Sequence, residues 1–249
     1  MNNGFFDIKL DNDLISLFVH KPYNFKRDSV SEEEIMNQFN EIETVINYKF
    51  DNIIRPRQTH SNNVKIVTLE NINDSFDDTD GLITNLKGVA LCTQIADCQG
   101  LLLYDTKNKV IGNIHSGWKG TLTRISTNAV NLMIKEFNSN PEDIKVYVSP
   151  SIHKCHFEVG EDVKTLFEKE FTDIDNNSFI QKGEFKEEQK YFIDTVELNK
   201  QLLISLGIKE ENITSSDLCS VCNSNLIHSY RKDKPNDGRN ICLIAIKNN

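Results

Sequence analysis

The chain has 249 residues, with 28 Lys plus Arg against 37 Asp plus Glu, a formal charge of −9. An acidic surface repels phosphodiester backbones and anionic lipid, and no local basic patch overrides the mean, so nucleic-acid and membrane-surface binding are excluded as general functions. Hydrophobic residues at 38% suffice for a folded core, while no apolar run reaches the ~20 residues of a bilayer span and Met1 to Leu10 lacks the apolar core of a secretory leader. A cytoplasmic location is expected, in which six dilute cysteines stay reduced and any with a role acts as a thiolate.

No linker, repeat or low-complexity tract divides the sequence, so one domain over residues 1–249 is expected. Phe5 to Leu10 and Leu14 to His20 are apolar runs around Asp11-Asn12-Asp13, the pattern of a hairpin. Ser31 with Glu34 has the form of a capping box, and Ile35, Phe39, Ile42 and Ile46 follow at helical spacing to about Tyr48. Five β-rich runs come next, Asn63 to Leu69, Gly81 to Thr84, Val89 to Ile95, Leu101 to Tyr104 and Val110 to Ile114, and are expected to form a central sheet. Gly120 to Phe137 carries Leu122, Ile125, Ala129, Leu132 or Met133, and Phe137 on one face and is expected to be one long helix, stopped by Asn140-Pro141. A strand is expected over Lys145 to Val148 and a helix over Val159 to Phe171. After a polar loop, Asp194 with Glu197 caps a further helix ending at Gly207. Closing strands are expected over Leu226 to Arg231 and Ile241 to Ile246, around the Asp237-Gly238 turn. The order lacks strict βαβ alternation, which predicts an α/β chain with a mixed central β-sheet and helices packed on it.

Three segments each fall where a strand should end: Arg57-Gln58-Thr59-His60, Ala96-Asp97-Cys98 and His115-Ser116-Gly117-Trp118-Lys119-Gly120. A sheet fixes the backbone there while the following loop opens the side chain to a cleft. Cys98, His60 and His115 supply one soft thiolate and two imidazoles, the set that suits Zn²⁺ in a catalytic site with its fourth position open. Their spacing matches no local metal-ligand signature, so spacing alone does not assign them.

The surrounding residues do. Gln58-Thr59-His60, Ala96-Asp97-Cys98 and His115-x-Gly117-Trp118-x-Gly120 stand in the order of the Gln-x-His, Ala-Asp-Cys and His-x-Gly-Trp-x-Gly elements of the YfiH family. This is also called the laccase-domain or multicopper polyphenol oxidase family, and lately a purine nucleoside phosphorylase family. Asp80-Gly81-Leu82-Ile83-Thr84, Phe157-Glu158-Val159-Gly160, Ser229-Tyr230-Arg231 and Gly238-Arg239 resemble further segments, so the likeness runs from about Arg55 to the C-terminus. The resemblance implies that His60, Cys98 and His115 are zinc ligands. It also implies that the substrates are purine nucleosides (adenosine, inosine, 5′-methylthioadenosine) with phosphate, and that adenosine deamination is a side activity. A three-ligand zinc activates water, which suits deamination. Phosphorolysis instead needs a held phosphate and a stabilised leaving base.

For the phosphate, Arg57, Arg231 and Arg239 are the candidates, because a guanidinium fork binds two oxygens at once; surface salt bridges are the plainer reading of each. Asp97 is a candidate to accept a proton or orient a ligand imidazole, or else caps the following turn. Trp118 is a candidate to stack on a purine, or else packs in the core. Gly117 and Gly120 let backbone approach a ligand.

Other readings remain open on the sequence. Cys98 with His115 as base would make a cysteine hydrolase or amidase acting on a peptide-like or cell-wall precursor; His60 discriminates, since only a metal site needs a second imidazole. Polyphenol oxidation is the weaker reading: six histidines in all cannot supply a blue-copper site plus a three-copper cluster, so copper is expected only as an incidental or alternative metal. A non-enzymatic docking module lacks any heptad, basic helix or Pro-rich segment to support it. Cys219-x-x-Cys222 is half a structural zinc site that His153, Cys155 and His156 could complete, though no second C-x-x-C is present. Cys92 and Cys242 read as core residues, His20 and His228 as structural. A monomer or homodimer fits equally.

Overall fold

The structure, a computed structural model, describes residues 3–185 and 188–248. In chain order, β1 (Phe5–Asp7) and β2 (Leu14–Val19) form the opening antiparallel pair, with Phe5 opposite Val19. Helix α1 (Glu32–Ile46) begins at a complete capping box: Ser31 Oγ accepts from the Glu34 amide and the Glu34 carboxylate accepts from the Ser31 amide. Then follow β3 (Asn52–Ile54), β4 (Val64–Ile66), β5 (Gly81–Thr84), β6 (Val89–Ile95), β7 (Gln99–Asp105), β8 (Val110–Ser116), α2 (Trp118–Leu122), α3 (Ile125–Phe137) and β9 (Ile144–Val148). The C-terminal part holds β10 (Glu158–Val159), α4 (Glu161–Glu170), α5 (Asn176–Phe179), β11 (Ile180–Phe185), β12 (Glu188–Ile193), α6 (Thr195–Ser205), β13 (Ile213–Ser215), α7 (Tyr230–Asp233) and β14 (Asn240–Ile246).

The architecture is mixed α/β, as expected, but the strands expected in one central sheet are shared between two. A five-stranded sheet runs β1-β2-β14-β6-β3, a six-stranded sheet runs β13-β9-β7-β8-β5-β4, and β10-β12-β11 make a small third. The pairs β3/β6, β4/β5 and β9/β13 are parallel and the others antiparallel. Side-chain alternation explains the layering. Leu91, Cys242 and Ile244 face Leu102, Tyr104 and Ile111 across the two sheets, while Ala90, Cys92, Ile241 and Leu243 turn the other way onto Ile35, Phe39 and Ile42 of α1. On the far side, Leu101, Leu103 and Ile114 meet Ile125, Ala129 and Met133 of α3 and Leu203 of α6. Every residue of β7, β8 and β14 is therefore buried. One polar clamp crosses the two sheets: Asn113 Nδ2 donates to the carbonyls of Leu91 (2.7 Å) and Cys242 (2.9 Å), and Thr93 Oγ1 donates to Asn113 Oδ1.

Three expectations are corrected. The long helix breaks into α2 and α3 at Arg124, which sits at φ 58° with its guanidinium on Glu170 (2.8 Å) and Asp173 (2.9 Å); these ion pairs offset a left-handed backbone that costs roughly 1–2 kcal/mol for a side-chain-bearing residue. Leu226 to Arg231 is not a strand: the Asn240 side chain takes the amide and carbonyl of His228, and Ser229 caps the short helix α7. The polar loop before Asp194 contains the β11–β12 hairpin. The helix after Asp194 ends at Gly207, φ 95°, as read.

Candidate active site

The three segments singled out in the sequence meet at one end of the paired sheets. Cys98 lies in the short crossover from β6 in one sheet to β7 in the other, and His115 is the penultimate residue of β8. His60 comes from an irregular loop after β3. Gln58 fastens that loop to the end of β6, its amide donating to the Gln94 carbonyl and accepting from the Gln94 amide, both at 2.8 Å. One donor atom from each of His60, Cys98 and His115 lies within 4.8 Å of the other two. Cys98 Sγ is 3.8 Å from His60 Nε2, and the two imidazole rings stand edge to face at 4.8 Å.

Asp80 organises this group. Its carboxylate is fully buried and accepts from His115 Nδ1–H (2.7 Å), from the amides of Thr59, His60 and Ser61, and from Ser61 Oγ. Those amide bonds hold His60 at φ 62°, a left-handed backbone that is otherwise unfavourable. Burial pushes the Asp80 carboxyl up, but the hydrogen bonds from His115 and Ser61 win and hold it well below the usual carboxylate range. With Nδ1 committed to Asp80, His115 presents Nε2 to the centre. Burial pushes the Cys98 thiol up, and the adjacent imidazoles of His115 and His60 outweigh it, bringing it to about 6. Burial pulls His115 down, and the Cys98 thiolate and Asp80 raise it to about 9. The donor set fits a zinc ion: a sulfur and two imidazole nitrogens converge, one imidazole is already oriented by a carboxylate, and one coordination position remains for a substrate or water.

Asp80 orients the His115 imidazole, a role for which the sequence offers Asp97 as a candidate beside the capping of a turn. The Asp97 carboxylate is engaged elsewhere, accepting from Ser220 Oγ (2.6 Å), Ser229 Oγ (2.7 Å) and the Arg231 amide (2.6 Å). It thereby ties the C-terminal segment to the crossover that carries Cys98. Gly117 is needed for space: a Cβ there would lie 2.9 Å from His60 Cδ2 and 3.0 Å from Cys98 Sγ.

Behind the site, buried hydrogen bonds make the scaffold stiff. Gln99 donates to Thr195 Oγ1, Asn199 donates to Gln99 and to Ser116 Oγ, and Ser126 donates to Asn199, joining β7, β8, α3 and α6. In front of it opens a cleft of about 1000 Å³ lined by His60, Cys98 and His115 together with Arg57, Trp118, Arg231 and Arg239. Each arginine has a carboxylate partner: Arg57 with Asp77, Arg231 with Glu158 at 2.6 Å, and Arg239 with Asp237. Trp118 serves both readings, packing on the cluster of Ile152, Phe157 and Leu198 while lining the cleft. Lys26, Arg27 and Tyr230 also line the cleft without being site candidates on the sequence, although Tyr230 stands in the Ser229-Tyr230-Arg231 segment. Lys26 and Arg27 come from the loop before α1, where no motif marks them. Tyr230 is 45% exposed and carries Lys234 over its ring. His20 packs on Phe6 with the rings tilted at 47°, His228 is bonded to the Tyr23 carbonyl, and Cys92 and Cys242 are buried. Among the described residues no helix is long and apolar enough to cross a membrane.

A family model for the multi-copper polyphenol oxidoreductase laccase matches residues 23–247. A purine nucleoside phosphorylase of Borreliella burgdorferi is 30% identical over 229 residues, covering 92% of this chain and 91% of that protein. An adenosine deaminase, RL5, from an unknown prokaryotic organism is 29% identical over 196 residues, covering 76% of this chain and 73% of that protein. The crystal structure of a Bacillus licheniformis hypothetical protein, YfiH, superposes with a TM-score of 0.89 at 24% identity, over 98% of this chain and 97% of that one. The fold, the matched segments and these likenesses agree: the chain belongs to the multi-copper polyphenol oxidoreductase laccase family, of which YfiH is a structural neighbour.

Proposed function

We propose that this protein is a zinc-dependent purine nucleoside phosphorylase, acting on adenosine, inosine or 5′-methylthioadenosine with phosphate, and that it deaminates adenosine as a side activity. The observation that carries the reading is an open three-donor centre on the floor of a cleft lined by Lys26, Arg27, Arg57, Arg231 and Arg239. The names of the relatives, phosphorylases and one deaminase, point the same way. His60, Cys98 and His115 would hold the metal, which supplies Lewis-acid polarisation of a substrate atom when bound. Copper occupancy would follow from its higher place in the affinity order rather than from a catalytic need.

In phosphorolysis a phosphate oxygen bonds to C1′ as the C1′–N9 bond breaks, and the purine leaves carrying on a ring nitrogen the proton that hydrogen phosphate gives up on becoming the sugar-phosphate ester. The arginines hold the dianion by paired N–H donors, and Tyr230 and Trp118 offer aromatic faces to the base. Asp80 holds His115 and the His60 loop in one geometry throughout. A polyphenol oxidase is disfavoured because His20 and His228 are spent on structural contacts and, among the described residues, no third histidine joins the cluster. The Cys98–His115 pair by itself would also suit a thiol hydrolase, but His60 at 3.8 Å from the sulfur favours a metal.

The test is a nucleoside panel incubated with purified protein, with and without phosphate. Free purine base that appears only with phosphate, together with some inosine from adenosine, is expected. Base release independent of phosphate, or cleavage of an amide by metal-stripped protein, would replace this reading.

A further inference from the structure

A second group of metal-binding side chains stands away from the described centre, where two loops cross. One loop, between β9 and β10, carries Cys155 and His156; the other, between β13 and α7, carries Cys219 and Cys222. Backbone bonds fix the crossing: the Ser220 amide donates to the Ser151 carbonyl at 2.8 Å, and Ser151 and Cys219 form a parallel bridge. The Asn223 amide closes a turn onto the Cys219 carbonyl, so that Cys219 and Cys222 lie on one turn. The four donor atoms all lie within 4.8 Å of one another.

We propose that Cys155, His156, Cys219 and Cys222 form a second metal site, a four-coordinate structural zinc centre bound through three sulfurs and His156 Nδ1. Zinc–sulfur bonds of ~2.3 Å and zinc–nitrogen bonds of ~2.0 Å, set tetrahedrally, separate the donors by roughly 3.5–3.8 Å. The observed separations bracket that range: 3.2 Å for Cys155 Sγ to His156 Nδ1, 3.5 Å for Cys222 Sγ and 3.7 Å for Cys219 Sγ to the same nitrogen, and 4.0 Å between Cys155 and Cys222. Three sulfurs this close repel one another as thiolates, and a divalent cation between them removes the repulsion, the three thiol protons going to solvent. Cys155 and Cys222 are exposed and give the ion an entry path, while Cys219 is buried. His153, a possible contributor on the sequence, is outside the group.

Four protein donors leave no position for substrate, so the centre is a staple rather than a second reaction site. Its first loop forms part of the cleft wall, and its second is bonded to residues that do. Ile152, Phe157 and Glu158 line the cleft, Arg231 Nη1 donates to the His156 carbonyl at 3.0 Å, and Ser220 reaches Asp97 next to Cys98. This inference does not depend on the proposed reaction.

Metal counting tests it. Wild-type protein and Cys155→Ser/Cys222→Ser, both loaded with Zn²⁺ and desalted under reductant, should differ by one zinc per chain whatever the cleft centre holds. Equal zinc in the two overturns the proposal. Because the double variant could fold poorly, the same question is put to folded His60→Ala/Cys98→Ala protein reconstituted with Co²⁺. It should show a thiolate-to-cobalt charge-transfer band and tetrahedral ligand-field bands, and their absence overturns the proposal, as does a disulfide among Cys155, Cys219 and Cys222 in protein kept under reductant.

Discussion

The two Cys/His groups offer the same kinds of donor atom in opposite settings. In the cleft, His115 is on a fully buried strand and is locked by Asp80, Cys98 sits in a crossover tied down by Asp97, and three donors face open space. At the loop crossing, four donors come from turns, two of them exposed, and among the described residues no carboxylate holds any of the four in the way Asp80 holds His115. A scaffold that fixes three ligands from behind can leave a position free for chemistry; one that lets four ligands close around an ion uses the ion itself as the fixing element.

The largest predicted contrast is in thiol reactivity after metal is stripped. Cys98 is brought to about 6 by His115 and His60 against the effect of burial, whereas burial and the neighbouring sulfurs of Cys219 and Cys222 push Cys155 up to about 12. At neutral pH Cys98 is mainly thiolate and Cys155 mainly thiol, so iodoacetamide should modify Cys98 at least ~100-fold faster, even allowing for the lower intrinsic nucleophilicity of a low-pKa sulfur. Peptide mapping across a pH series should show Cys98 alkylation slowing as pH falls through about 6. A midpoint near the ordinary ~8.5 of a free thiol would break the contrast.

Next in size, Cys98→Ser should lose the cleft metal and more than ~100-fold of phosphorolysis, because a neutral hydroxyl is a far poorer ligand than a thiolate. Full metal stoichiometry in that variant would remove the centre from the mechanism. Asp80→Asn should act more gently and from behind, weakening metal affinity by ~10–100-fold as losses of ligand-orienting partners do. It also has a pH signature. The folded carboxyl is held below its unfolded value, so Asp80 contributes stability above the ordinary ~3.9, and that contribution is lost as pH falls further. Acid melts should therefore show a shallower loss of Tm in Asp80→Asn than in wild type.

How much of this was legible in the sequence depends on whether the information was local. The capping box at Ser31, the terminator at Gly207 and both ends of β6 are encoded within a few residues and match the structure, whereas β8 runs past the expected Ile114 to Ser116 and takes His115 into the strand. The break at Arg124 depends on Glu170 and Asp173, some forty-odd positions away, and no local rule forbids the helix from continuing. The β11–β12 hairpin is written in Gln, Lys and Glu, so it lacks the apolar alternation by which a strand is recognised. His60, Cys98 and His115 stand out by their motifs, and the fold brings them together. Asp80 and Asp97 each belong to a recognised motif; which one meets an imidazole is decided by the fold, since β5 pairs directly with β8 and sets Asp80, just before β5, against His115. Tyr230, Lys26 and Arg27 reach the cleft only because the chain folds back on itself there.

The smallest expected effect tests the residue that joins the two regions. Arg231 donates from its side chain to the carbonyl of His156, pairs with Glu158 and donates its backbone amide to Asp97, so it spans from the loop crossing to the crossover that carries Cys98. Arg231→Lys leaves the backbone contact and the charge in place and removes only the planar fork. If the guanidinium binds phosphate by two oxygens, KM for phosphate should rise by about tenfold, roughly the 1.4 kcal/mol expected for one charge-assisted hydrogen bond, with kcat and zinc content nearly unchanged. A lysine that restores wild-type KM would make Arg231 a tie between loops, and Arg239 and Arg57 would then be the cations to test for phosphate.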